Sequence, residues 1–376
     1  MPVVSPRPPV LPRLDVRGLM CAPLDPFAPA LSFAVQRGMC LALLGNRVSD
    51  MSCLMDTLAG HLPRLGGEIL IDGQDRSMDT AGQRGIGLFS PRDHLFAHMT
   101  VRQNVAFPLG ARGYDRSSIA ARVNETLALT GLDGRAEQTP KALEPQEAWR
   151  ARLARLLVFA PPVLLLDDPF AKLEPDDRST LRQVLARLAR AQNLTMLLAT
   201  RDREDALLLG DRIGVLSGRT LLQTGRPVDL FDNPACAAVA ADFGDANTLT
   251  GRVGAVEDDV ARVHLANGCV VEARAAEGLA PDMLCTLCIR PDRIATLFPS
   301  GRATADPEEG TLPASLVALH HMGDHIRLRF RLGDGQEILV RRPPAQSLTG
   351  LEPGRPAQLA WPPVHAVAFP FRGEMS

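Results

Sequence analysis

The sequence predicts an α/β domain built around a mainly parallel sheet, followed by a small all-β domain. Apolar runs alternate with helical patterns from residue 14 to about 235, which is how such a sheet and its covering helices read. One run, Val163-Leu164-Leu165-Leu166, is continuously apolar, as a strand buried on both faces of a parallel sheet must be. Beyond Asn233-Pro234 the helical period gives way to short alternating runs divided by Gly, Asp and Pro, the pattern of a small barrel or sandwich. A chain of 376 residues, 45% hydrophobic and 22% charged, can bury two cores of moderate size. The expected organisation is a Pro-rich extension over 1–12, an α/β domain over 13–240 with a helical insert at about 92–158, and a β-barrel domain over 241–376.

In chain order, Leu14 to Leu19, Leu31 to Val35 and Cys40 to Leu44 read as strands, the last fed by a turn at Arg37-Gly38. Leu54-Met55-x-x-Leu58-Ala59 has helical spacing and stops at Gly60, a residue suited to the position just past a helix end. Gly66 to Gly73 reads as strand and turn, and Ile86 to Phe89 as a short strand. Thr100 to Leu157 is mostly helical, with Val123, Leu127, Leu129 and Leu132 forming an apolar stripe. Pro175-Asp176-Asp177 opens a helix to about Ala191 with Leu181, Val184, Leu185 and Leu188 on one face. Leu194 to Leu198 and Arg212 to Leu216 are further strands. In the second domain Val260 to His264, Val270 to Ala273, Leu284 to Ile289, Ala314 to His320, Ile326 to Phe330 and Ile338 to Val340 read as strands, and Pro299 to Gly310, polar and without apolar periodicity, is expected to be a mobile loop.

The net charge of −2 argues against nucleic acid as the main ligand. Seven scattered Cys suit a reducing compartment better than a disulfide framework. Cys285 and Cys288 form a C-x-x-C, but residues three apart in a strand face opposite ways, which favours two small buried side chains over a metal or redox site. The same holds for His320, His321 and His325, of which the adjacent pair in a strand diverges. The longest apolar run, Leu156 to Leu166, is broken by Pro161-Pro162 and is too short to span a bilayer. Met1 to Pro12 lacks the features of a secretory signal. A cytoplasmic protein is expected.

Chemistry centres on Gly45-Asn46-Arg47-Val48-Ser49-Asp50-Met51-Ser52-Cys53, set between a strand and a helix. That is the layout of a P-loop, G-x-x-x-x-G-K-[ST], whose backbone N–H groups cradle phosphates and whose Lys neutralises them. The first Gly and the last Ser are kept. Asp50 stands at the second Gly and Met51 at the Lys. Losing the Lys removes a charge-assisted contact of about 1.5–3 kcal/mol. A carboxylate ~4 Å from a phosphate charge adds repulsion of about 4 kcal/mol at an intermediate dielectric. No nearby Lys compensates, and nothing favours an inward turn of Arg47. The acids Asp167 and Asp168 close the Val163 to Leu166 strand at its carboxyl end, where open α/β sheets bind ligands.

This order of parts resembles the ATP-binding subunits of ABC importers, in particular the polyamine- and iron-type subunits with a C-terminal TOBE barrel. The resemblance rests on Leu58-Ala59-Gly60, Gly67 to Gly73, Leu95-Phe96-Ala97-His98-Met99-Thr100-Val101-Arg102-Gln103-Asn104-Val105, Gly210-Asp211-Arg212-Ile213, Gly225-Arg226-Pro227, Ile289-Arg290-Pro291-Asp292-Arg293-Ile294, Met322 to His325 and Trp361-Pro362-Pro363. It implies a P-loop NTPase-like fold with an OB-like TOBE domain, and ATP and Mg²⁺ as cofactors. It also implies transmembrane permease subunits and a second ATP-binding subunit, as homodimer or intact paralogue, as partners. A solute-binding protein would act indirectly, and the location would be peripheral on the inner face of the cell membrane.

By the same resemblance, Ser52 and Asp167 take the Mg²⁺ positions, Asp168 that of the catalytic Glu and Arg201 that of the switch His. Pro91 takes that of the glutamine that reaches the metal. The turn that clamps the partner's nucleotide aligns with Leu143-Glu144-Pro145-Gln146-Glu147, where Glu144 puts a charge in place of a hydroxyl and Pro145 removes an N–H donor. The adenine-stacking aromatic expected near Cys21-Ala22 is missing. The departures gather at the nucleotide while the scaffold is kept, and they lie on both faces of the expected dimer. Two readings follow: an importer ATPase subunit with weak or absent hydrolysis, and a non-catalytic pseudo-ATPase that holds or regulates permeases.

Overall fold

The computed structural model describes residues 11–22, 29–298, 310–344 and 351–371, so nearly all of the Pro-rich start and of the Pro299 to Gly310 loop lies outside the described residues. The chain divides into two compact units, Met1–Val228 and Asp229–Ser376.

The first unit contains β1 (Leu14–Cys21), β2 (Leu31–Val35), β3 (Cys40–Gly45), α1 (Val48–Ala59), β4 (Arg64–Ile71), β5 (Gln74–Asp75), α2 (Ala81–Arg84), β6 (Gly87–Phe89), α3 (Val101–Ala111), α4 (Arg116–Thr130), α5 (Pro145–Leu157), β7 (Leu164–Asp167), α6 (Pro175–Ala191), β8 (Met196–Thr200), α7 (Arg203–Leu209), β9 (Arg212–Ser217) and β10 (Thr220–Gly225). A six-stranded sheet runs β10-β9-β3-β8-β7-β6, parallel throughout except for the β9–β10 hairpin. A separate antiparallel sheet, β2-β1-β4-β5, accompanies it. The mainly parallel sheet expected from sequence is present, and the antiparallel sheet is an addition to it. The distinction is visible in burial: β3, β7 and β8 are buried at almost every position, whereas β2 alternates buried and exposed. Leu14, Val16, Ile69, Leu43, Met55 and Leu58 fill the core beneath both sheets.

The insert α3–α5 has its own core of Val101, Val105, Leu109, Val123, Leu127, Ala151 and Ala154. Its entry is held by Thr100 and Gln103 in a reciprocal cap on α3, and by the fully buried Asn104, which accepts from Phe96 N at 2.7 Å and donates to Phe96 O at 3.1 Å.

The second unit follows α8 (Pro227–Asp232) with α9 (Ala237–Gly244), β11 (Asn247–Glu257), β12 (Val260–Leu265), β13 (Val270–Ala275), β14 (Leu284–Ile289), β15 (Ala295–Leu297), β16 (Leu312–His321), β17 (Ile326–Leu332), β18 (Glu337–Arg342), β19 (Pro356–Ala360) and β20 (Ala366–Pro370). The strands form a closed barrel, β11-β12-β13-β20-β14, and a five-stranded sheet, β15-β19-β16-β17-β18. One core, from Leu249 through Phe330 to Ala368, serves both. α9 lays Ala240 against Cys288 and Phe369. Cys285 faces the barrel core while Cys288 faces α9, so the two sulfurs of the C-x-x-C sit in different apolar clusters. Burial pushes the Cys288 thiol up to about 12.

Candidate functional site

The turn after β3 is short, since β3 ends at Gly45 and the next helix begins at Val48. α1 begins at Val48, so Ser49, Asp50 and Met51 are already helical, and Met51 N donates to Arg47 O at 3.3 Å. Asn46, Arg47 and Ser49 are exposed, and of Val48 only the backbone is described. Met51 is 2% exposed and packs into the core with Leu43, Leu54 and Leu216. It lies close to Gly45: a Cβ built there would lie 3.4 Å from the Met51 sulfur and 3.2 Å from Leu216 Cβ, a tight fit that a small shift of these side chains would relieve. Cys53 donates its thiol to Ala22 O.

Asp50 is compensated, contrary to the expectation from its neighbours in sequence. Arg219, from the β9–β10 turn, reaches its Oδ1 at 3.1 Å and donates also to Cys21 O at 3.3 Å. This pair borders a cavity of about 30 Å³ walled by Leu19, Cys21, Leu31 and Leu54, beside the strand end where an adenine-stacking aromatic was expected.

Behind the turn, Ser52 Oγ donates to both oxygens of Asp167, at 2.8 and 3.0 Å. Arg92 lies over the same acid: its guanidinium is 2.8 Å from Asp56 Oδ2 and 3.7 Å from Asp167 Oδ2. Arg92 follows Pro91 in the β6 exit, which Arg152 fixes by donating to Ser90 O and covering the Phe89 ring at 4.3 Å. Asp168 has φ +40°, a left-handed conformation that a non-glycine residue holds only when its surroundings demand it. Its N–H donates to Ala199 O at 2.8 Å, and Arg201 stands 3.5 Å from its carboxylate. Burial raises the pKa of both acids; Ser52 and Arg92 pull Asp167 back down, and Arg201 does so for Asp168.

The residues 143–147 form a helix start. Glu144 is the N-cap of α5, Pro145 occupies its first turn, and Glu147 accepts from Glu144 N at 3.1 Å while pairing with Arg135 at 2.8 Å. Gln146 accepts from Arg150 at 2.8 Å, and Leu143 packs on the insert core. Trp149 ties this helix to the strand-end loop: its Nε1 donates to Pro169 O at 2.8 Å and its ring stacks on Phe170. Among the described residues, no hydrogen bond or ion pair joins 143–147 to 45–53. The structure thus gathers Asp50, Ser52, Asp167, Asp168 and Arg201 around one end of the parallel sheet and leaves the 143–147 turn on the insert.

Sequence reasoning missed Arg92, Asp56 and Arg219. Arg219 lies 169 positions from Asp50, and no local pattern marks that pairing.

A P-loop-like α/β unit whose insert lies between the loop and the strand-end acids, joined to a β-barrel unit, is the architecture of an ABC transporter ATP-binding subunit, and this chain belongs to that family. It matches the ABC transporter family over residues 29–171 and the TOBE domain over residues 287–369. It is 34% identical over 307 residues to the sulfate/thiosulfate import ATP-binding protein CysA of Thermosynechococcus vestitus, across 81% of this chain and 83% of that one. It is 32% identical over 305 residues to the spermidine/putrescine import ATP-binding protein PotA 1 of Pseudomonas aeruginosa, across 80% of each. The Fe(3+) ions import ATP-binding protein FbpC 1 of Rhizobium meliloti shares 30% over 312 residues, across 83% of this chain and 85% of that one. Among solved structures, cbiO1 from Clostridium perfringens, part of the ABC transporter complex cbiONQ, aligns with a TM-score of 0.53 at 25% identity, over 59% of this chain and 91% of that one. ATP and Mg²⁺ are the cofactors of ABC ATP-binding domains.

Proposed function

We propose that this chain is a subunit of an ABC importer complex that keeps the family's fold and its place beneath the permeases while its own nucleotide site does not turn over ATP. The observation that carries this reading is that the acids of the site each have an arginine of the same chain beside them: Arg219 at Asp50, Arg92 at Asp56 and Asp167, and Arg201 at Asp168. Where a phosphate-binding site presents positive charge to a triphosphate and keeps acids for the metal, this site sets three arginines of its own beside four acids. Ser52 and Asp167 fit a Mg²⁺ ion, because the hydroxyl and carboxylate already converge. The remainder does not fit the triphosphate. Among the described residues no ammonium reaches the turn, Met51 packs close to Gly45, and Asp168 with Arg201 puts an ion pair in place of an acid and a titratable base.

Its partners are transmembrane permease subunits and a second ATP-binding subunit, with a solute-binding protein acting indirectly, at the inner face of the membrane. The relatives' names span sulfate, polyamine and iron import, and the solute is set by the permeases and the binding protein. The convergent Ser52–Asp167 pair favours a second reading, weak binding of Mg²⁺-nucleotide without turnover.

Phosphate release from the purified chain, set beside titration with a fluorescent ATP analogue and Mg²⁺, separates these. The proposal expects release at background, both for the unaltered chain and for Asp50→Gly/Met51→Lys. Turnover by the unaltered chain at rates of about 1 s⁻¹ or more, ordinary for enzymes, would sink it. Saturable binding without turnover selects the second reading.

A further inference from the structure

We propose that Cys21 and Cys53 are a modification site, a thiol pair that a peroxide oxidises to a disulfide between the end of β1 and the first turns of α1. The inference does not depend on whether the chain turns over ATP. Cys21 is the last residue of β1 and packs against the apolar cluster that holds Leu19 of β1 and Leu54 of α1. Cys53 immediately precedes Leu54, and its sulfur lies 2.6 Å from the carbonyl oxygen of Ala22, the residue after Cys21. Thr57, one helical turn beyond Cys53 and 1% exposed, donates its hydroxyl to Cys53 O at 2.8 Å. The Cys21 thiol is in side-chain hydrogen-bond contact with both Thr57 and Cys53. Two cysteines far apart in the sequence thus meet on facing elements, whereas Cys285 and Cys288, close in sequence, sit in different clusters.

Access separates this pair from the buried cysteines. Cys40, Cys285 and Cys288 are buried, which makes them inert, while Cys21 and Cys53 are half-buried. Cys21 also lines the cavity of about 30 Å³ beside Asp50 and Arg219. A water needs roughly 10–15 Å³ of such space, so an oxidant of two heavy atoms fits there. Burial raises the Cys21 pKa, and the charge of Arg219, which donates to Cys21 O at 3.3 Å, opposes that rise. Cys21, held protonated by burial, is therefore the resolving thiol. With hydrogen peroxide the steps balance. Cys53 gives up its proton and attacks one peroxide oxygen; the O–O bond breaks, and a sulfenic acid and one water result. The Cys21 sulfur then attacks the sulfenic sulfur; the S–S bond forms, the S–O bond breaks, and the departing hydroxide takes the Cys21 proton as a second water. Two thiols lose two electrons and the peroxide gains them. The bond fastens α1 to β1 next to Ser52 and so fixes the turn that carries Asp50.

The full chain, reduced and desalted, is treated with hydrogen peroxide, denatured, alkylated with iodoacetamide and digested without reductant. Mass spectrometry should find two of the seven thiols closed to alkylation and the peptides of Cys21 and Cys53 joined. Dithiothreitol should restore both thiols. Cys21→Ser and Cys53→Ser should each abolish the joined peptide, whereas Cys236→Ser should leave it, with far-UV circular dichroism checking that each variant folds. Oxidation should also raise the urea midpoint read by Trp149 fluorescence in a Trp361→Phe background, and adding either serine substitution should remove the rise. The proposal is overturned if all seven thiols still alkylate after peroxide, or if the joined peptides carry other cysteines. A linkage between two chains on a non-reducing gel, or an unmoved midpoint in the oxidised chain, overturns it as well. Should a serine variant fail to fold, the peptide map of the unaltered chain decides on its own.

Discussion

Asp168 combines a left-handed backbone, 6% side-chain exposure and a pKa raised by burial. A carboxyl whose folded pKa lies above its unfolded value binds more protons in the folded state, so stability falls as pH rises from the unfolded pKa through the folded one. Asp168→Asn should remove that slope: urea unfolding between pH 4 and 7 is expected to show the variant losing less stability with rising pH than the parent. An unchanged slope would show that Arg201 already offsets the burial. Asp50 and Arg219 are 16% and 20% exposed, which makes their pair the more sensitive one. Arg219→Ala should cost about 1–2 kcal/mol, less than a fully buried pair would, and Asp50→Ala in the same chain should recover most of it; a double-mutant cycle in urea reads the coupling. These two sites also mark the limit of sequence reading. Ser52 and Asp167 were legible because a motif fixes their places relative to a strand and a helix. Arg92 and Arg219 were not, because ion pairing across a fold leaves no periodic trace, and an arginine that neutralises a site looks like any other arginine in the chain.

The elements were legible in proportion to how locally they are determined. Gly60 ends α1 in the left-handed conformation, Thr100 and Gln103 cap α3, and Pro175 opens α6, each by chemistry confined to a few residues. The antiparallel sheet was harder, because β1 and β4 read as apolar runs like those of the parallel sheet and only their partners distinguish them. β19 and β20 escaped for a related reason: Pro356 and Pro370 bound runs of alanine and single large residues, and their strand character comes from pairing with β16 and β14. α5 depends on one long-range anchor. Trp149 is 2% exposed, lies between Phe89 and Phe170 with centroids at 5.2 and 5.6 Å, and donates to Pro169 O, so it couples the insert to the strand that ends in Asp167 and Asp168. Trp149→Ala should destabilise the first unit by about 3–5 kcal/mol through cavity formation and the stranded Pro169 carbonyl. Trp149→Phe, which keeps the stack and loses the donor, should cost about 1–2 kcal/mol. Denaturant unfolding followed by far-UV circular dichroism checks both, and equal losses would remove the hydrogen bond from the account.

Each of the two units closes its own core. The residues from Leu249 to Ala368 that fill the second unit all belong to it, and its barrel closes on itself while the five-stranded sheet keeps β15 and β18 as edges. Of the chain's two tryptophans, Trp149 reports on the first unit and Trp361, 8% exposed and donating to Glu272 O at 3.1 Å, on the second. A fragment of residues 229–376 should therefore fold alone, with Trp361 fluorescence and far-UV circular dichroism unfolding together in urea. In the full chain the variants Trp149→Phe and Trp361→Phe isolate one reporter each, and two distinct midpoints are expected, with that of Trp361 matching the fragment's. A fragment that lacks a cooperative transition, or a single shared midpoint in the full chain, would mean that the second core depends on the first.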